Sequence, residues 1–154
     1  MQRHDRRDRR FGFTILELMI VVAIVAIVIA VAVPSLQNAK RSARESKGIA
    51  SCKVVAAAME SYRGRYGRYG NATGLQESGY LEQWDRLSSV FLTTESHKIL
   101  VAPSSSRGWV CYVIAASGAD GEASYYMDAS GVIRYNTSGG LASVSSPPLG
   151  EEPD

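Results

Sequence analysis

One carboxylate stands where a carboxylate is costly. In the run FTILELMIVVAIVAIVIAVAV, residues 13–33, the only polar side chains are Thr14 and Glu17, and residues 18–33 hold none. Placing an acid in a bilayer costs on the order of 3 kcal/mol, and such residues as a rule face a partner. Nothing else in the run can pair with it. Glu17 therefore reads as a group that needs a cation from elsewhere, not as a general acid or base.

The other residue types that do chemistry are sparse. His4 and His97 are the two histidines, and neither sits in a Ser-His-acid or zinc-ligand spacing. Catalytic residues, a metal and a cofactor are therefore not expected, and the chain does not read as an enzyme. Asp120, Glu122 and Asp128 surround a turn and form the one acidic group suited to calcium, but acidic turn residues are ordinarily just solvated. NAT at 71–73 and NTS at 136–138 match the short glycosylation sequon, which arises readily by chance. In YRGRYGRYGN, residues 62–71, Arg63, Arg65 and Arg68 alternate with Tyr62, Tyr66 and Tyr69, a composition able to stack on single-stranded nucleic acid. The simpler reading is a helix end running into a Gly-rich turn.

These residues need elements to hold them. As helix, the 21 residues of 13–33 reach about 32 Å, close to the roughly 30 Å of a bilayer's hydrocarbon core. The preceding stretch, residues 1–12, carries five Arg against two Asp, and a short cationic flank stays cytoplasmic, which places everything after the run outside. A secretory signal peptide is the bland alternative. It has a shorter apolar region, followed by a small-residue cleavage site, whereas this run ends in AVPSLQ. Pro34 at its end removes a backbone donor and crowds the carbonyl of Ala30. The β-branched residues before it are weaker helix formers, so residues 26–34 are expected to bend or melt locally.

Residues 12–34, G-FTILELMIVVAIVAIVIAVAV-P, closely resemble the class III signal of type IV prepilins and pseudopilins. The resemblance rests on Gly12, Phe13, Glu17 five residues past the glycine, and Pro34 at the end of the apolar run. It departs in two minor ways: Ile15 and Leu16 reverse the commoner order, and Ala26 stands where many pilins have glycine. It implies that a prepilin peptidase cuts the leader, residues 1–12, between Gly12 and Phe13, and that Phe13 becomes N-methylated. Residues 13–34 then survive as the transmembrane and assembly helix. Glu17 would pair with the amine freed at Phe13, its own or a neighbour's, because a lone charge in low dielectric is so costly. The implied partners are further copies in a helical filament, the inner-membrane assembly platform, minor pilins, and the membrane before assembly. Nucleic acid is not expected: the chain's 17 Lys and Arg against 15 Asp and Glu become 12 against 13 once the leader is gone.

The family shape is α+β, a long N-terminal helix packed on a roughly four-stranded antiparallel sheet, and the rest of the chain fits it. Ile49, Cys52, Ala56, Met59 and Tyr62 recur at helical steps within residues 35–66, the start of a globular domain expected over 35–136. Four β-prone runs follow at 97–103, 108–116, 122–128 and 131–136, divided by turn-forming residues. Between helix and strands, residues 67–96 read as a variable connection with a short helix near 82–91. Residues 137–154, rich in Gly, Ser and Pro, read as a flexible tail. Cys52 lies on the helix stripe, and Cys111 shares a strand face with Trp109 and Val113. A disulfide between them, enclosing 58 residues, is expected to add about 4 kcal/mol. The expected location is the bacterial inner membrane as precursor, then a surface pilus. A pseudopilus of type II secretion is the alternative, and a monomeric membrane-anchored binding module the contrasting case.

Overall fold

The computed structural model of the chain describes residues 12–104, 108–116 and 123–151. It divides into two compact units, residues 1–39 and 40–154, and one α-helix, α1 (Ile15–Tyr66), runs through the division. In the first unit the helix starts on Thr14: the Glu17 N–H donates to Thr14 Oγ1 at 3.1 Å and the Leu18 N–H to the Thr14 carbonyl at 3.2 Å. Residues 12–39 are all exposed. The expected local melting before Pro34 does not occur; α1 stays helical through residues 26–34. A single missing hydrogen bond removes one rung of a long ladder, and the turns on both sides remain intact.

In the second unit α1 buries one stripe: Gly48, Ser51, Cys52, Val55, Ala58, Met59 and Tyr62. These steps of three and four residues place one face against the sheet. The helix ends where Gly67 takes φ 70° and its N–H donates to the Arg63 carbonyl at 2.8 Å, a left-handed cap that glycine adopts without strain. A short helix, α2 (Ala72–Glu77), follows, with Asn71 Oδ1 accepting the Gly74 N–H at 2.9 Å as its N-cap.

The sheet has six antiparallel strands in sequence order: β1 (Asp85–Arg86), β2 (Phe91–Thr93), β3 (His97–Ser104), β4 (Gly108–Ala115), β5 (Ser124–Asp128) and β6 (Arg134–Asn136). The last four correspond to the four expected runs, and β4 alternates strictly, with Trp109, Cys111, Val113 and Ala115 buried. The core joins Cys52, Val55, Met59 and Tyr62 of the helix to Leu92, Ile99, Val101, Trp109, Cys111, Val113, Tyr125 and Met127 of the sheet.

Two segments differ from expectation. The helix expected near 82–91 is instead the β1–β2 hairpin. Ser88 Oγ accepts the N–H groups of Val90 and Phe91 at 3.4 and 3.2 Å, and the Leu87 N–H donates to the Phe91 carbonyl at 3.0 Å. A serine hydroxyl that satisfies nearby backbone favours a turn over a helix. The stretch expected to be a flexible tail folds back onto the sheet as far as Glu151. Ser124 Oγ donates to the Gly140 carbonyl at 2.7 Å and accepts the Ala142 N–H at 2.8 Å, and Ala142 is buried. Every residue of β5 is buried, and at Ser124 this return supplies the hydrogen-bond partners.

Candidate functional site

The residues singled out around the apolar run all lie on the first unit. Gly12 and Phe13 precede the helix without regular structure and are exposed, Phe13 at 76%. Glu17 occupies the first turn, where a carboxylate is favoured by the helix's positive end. Its side chain makes no hydrogen bond or ion pair with any described residue, whereas its backbone N–H is held by Thr14. Thr14 and Glu17 have the spacing of a capping box, a signal present in the sequence itself. Only the Thr14 half of the box forms. The Glu17 carboxylate therefore stays available for another cation.

On both sides of Glu17 in sequence, the helix presents apolar surface all round. Ile15, Leu16, Leu18, Met19, Ile20, Val22, Ile24, Ile27, Val28, Ile29 and Val31 are each at least half exposed. A helix apolar all round is built for lipid or for other apolar helices, not for water. It is long and apolar enough to cross a membrane. Pro34 sits within α1, and its ring takes the place of the N–H that would bond the Ala30 carbonyl.

The second unit brings the two cysteines together, but not as expected. Cys52 and Cys111 are both free thiols, fully buried in the same core. The expected disulfide does not form; both residues serve as small apolar pieces of the helix–sheet core. The neighbouring Cys52 thiol, together with burial, pushes the Cys111 pKa well up, so it stays protonated and unreactive at neutral pH.

The remaining candidates are absorbed by packing. The buried ring of His97 exchanges a 2.8 Å hydrogen bond with Ser96 through Nδ1. Its Nε2 lies 3.0 Å from where a side chain on Gly48 would begin, so the ring is wedged beneath the helix rather than opened to a substrate. Asp128 is buried and accepts from the Tyr126 hydroxyl at 3.0 Å and the Ser130 N–H at 2.9 Å; Asp120 and Glu122 lie outside the described residues. Among the described residues no three His, Cys, Asp or Glu side chains gather into a metal-binding group.

The Arg–Tyr stretch is likewise satisfied from within. Arg63, Arg65 and Arg68 lie over the rings of Tyr69, Tyr66 and Tyr62 at 5.2, 5.5 and 5.9 Å, and Tyr62 packs on Tyr66 at 4.4 Å. Each ring thus has one of the chain's own guanidinium groups over it, although Tyr66 stays 45% exposed. A groove of about 450 Å³ between the helix and the β2–β3 turn is lined by Lys47, Ser51, Asp85 and Glu95 among others. Ser51 Oγ there donates to the Lys47 carbonyl and Lys47 Nζ lies 3.8 Å from Glu95, so no nucleophile is paired with a base.

In comparisons with known proteins, residues 7–33 match the family model of the prokaryotic N-terminal methylation motif, which brackets Gly12, Phe13 and Glu17. No curated protein and no solved structure matches the chain.

Proposed function

We propose, with the methylation motif marking the chain as a type IV pilin-like or pseudopilin precursor, that it is a structural subunit of a type IV pilus filament. The observation that carries this reading is the coincidence of that motif with an apolar helix exposed all round and bearing a single unpartnered carboxylate near its start. Cleavage between Gly12 and Phe13 creates an amine four residues before Glu17, one helical turn away. In a bundle of such helices, each carboxylate pairs with the amine of its own or a neighbouring subunit. The pair sets the axial register of copies that are otherwise held only by apolar packing. Pro34 leaves the Ala30 carbonyl without its helical donor, so α1 is most easily opened there when copies pack. The prepilin peptidase, the inner-membrane platform and minor pilins are the partners this role needs, and the mature subunit passes from the inner membrane to the cell surface.

The test is Glu17→Val, expressed alone at wild-type level. Removing a charge from the apolar run leaves insertion unharmed or improved. Subunits should therefore accumulate in the membrane, cut at Gly12, while filaments seen by electron microscopy disappear or become rare. Filaments of normal number and length in that strain would remove the role assigned to Glu17. Short filaments confined to the periplasm in the parent strain, accompanied by loss of a secreted protein on deletion, would replace the pilus with a secretion pseudopilus.

A further inference from the structure

We propose that residues 146–151 are an edge cap, which occupies the outer rim of β6 and keeps the sheet from pairing with a strand of a second copy of this chain. The last strand of a sheet turns alternate N–H and C=O groups outward, a ready template for another strand. On β6 that template is already filled. The Tyr135 N–H donates to the Pro147 carbonyl at 3.1 Å, and the Leu149 N–H donates to the Ile133 carbonyl at 2.8 Å, which forms an antiparallel bridge centred on Arg134 and Pro148. Side chains fasten it at both ends: Arg134 Nη1 donates to the Ser146 carbonyl at 2.8 Å and the Tyr135 hydroxyl to the Glu151 carbonyl at 2.9 Å.

The cap does not itself become a new edge. Pro147 and Leu149 turn their bonding groups inward, so the outward position falls to Pro148. Proline has no N–H to offer. Its carbonyl accepts the Glu151 N–H at 3.2 Å, so a strand arriving from outside meets no donor and an acceptor already engaged. The opposite edge is blunted differently: β1 is only two residues long, Asp85 and Arg86, both charged and exposed. Copies of the chain are thereby turned away from edge-to-edge association and left to meet through other surfaces. The inference stands apart from the filament reading, since it concerns only residues 124–151 and the edge they close.

The test uses the full chain in mild detergent, with Val132→Cys as a reporter beside β6 and a short bis-maleimide cross-linker; Val132 is 38% exposed and the native thiols are buried. Two uncapped forms are compared with the parent: a chain ending at Ser145, and Leu149→Pro, which keeps the length and removes the N–H bonded to Ile133. Uncapping should raise the cross-linked dimer several-fold, in proportion to protein concentration, with no rise from an Asp85→Cys reporter at the other edge. Should the truncated chain lose its near-UV circular dichroism, Leu149→Pro decides. Dimer at the parent's level in natively folded uncapped chains would overturn the cap. Loss of the native spectrum in both forms would also overturn it, by assigning residues 146–151 to the core.

Discussion

Two glycines on α1 should respond to the same substitution with opposite sign. At Gly48 the helix lies so close to the sheet that an added Cβ would stand 2.7 Å from Tyr125 Cε2, 3.0 Å from Tyr125 Cδ2 and 3.0 Å from His97 Nε2. Carbon–carbon contacts are best at about 3.5–4.0 Å, so helix or ring must retreat by roughly 0.8 Å. Tyr125 is poorly placed to move: it is buried, and its strand is paired on both sides, with Val113 and with Tyr135. Overpacking of this kind costs about 1–3 kcal/mol, against about 1 kcal/mol gained when alanine replaces glycine within a helix. Gly48→Ala should therefore destabilise by about 1 kcal/mol. At Gly64 nothing lies within 4 Å, so only the propensity gain remains, about 0.5 kcal/mol this close to the helix end. Urea titration in mild detergent, followed by the fluorescence of Trp84 and Trp109, reads both midpoints, provided the slope is unchanged. A midpoint raised by Gly48→Ala, as by Gly64→Ala, would show that the helix does not press on Tyr125.

Replacing Gly12 with leucine should leave the precursor uncut, read by mass spectrometry as a chain still carrying residues 1–12; normal cleavage would move the processing site elsewhere. Burial, aided by the Glu45 carboxylate and Cys52 and opposed by Arg41, pushes the Tyr125 phenol up to about 12. The fold thus keeps a proton that the unfolded chain releases near pH 10, and this contribution to stability is whole below pH 10 and lost between about pH 10 and 12. Tyr125→Phe should flatten that step in urea midpoints taken across the range, and an unchanged profile would refute it. Both cysteines should resist a thiol reagent in the native chain at pH 8 and react fully once the chain is unfolded without reductant. Failure to react after unfolding would show them joined.

Much of the candidate site was legible in order of sequence because its physics is local. Continuous apolarity over residues 18–33, the lone Glu17 and the glycine before Phe13 need no partner to be read. The same holds for β4, whose alternation places Trp109, Cys111 and Val113 on one face whatever lies opposite. Thr14 is equally local: its hydroxyl interrupts the apolar run and at the same time caps the helix, a role its spacing from Glu17 already carries.

Composition misled wherever distant groups compete for the backbone. Residues 137–151 look too rich in Gly, Ser and Pro to order, yet Ser124 and Arg134 supply partners from 16 and 12 residues upstream. Residues 85–93 pair as strands because Phe91 and Leu92 find Leu100 and Ile99 across the sheet, an exchange no helical window can register. Val55 and Gly48 acquire their importance only where α1 crosses the sheet. The sequence by itself determined the apolar helix, its charge and its processing signature, since periodicity and hydropathy act over a few neighbouring residues. The tertiary structure alone decided the closeness of helix to sheet, the burial of both thiols in one core and the closed edge of β6, since each depends on groups brought together from far along the chain.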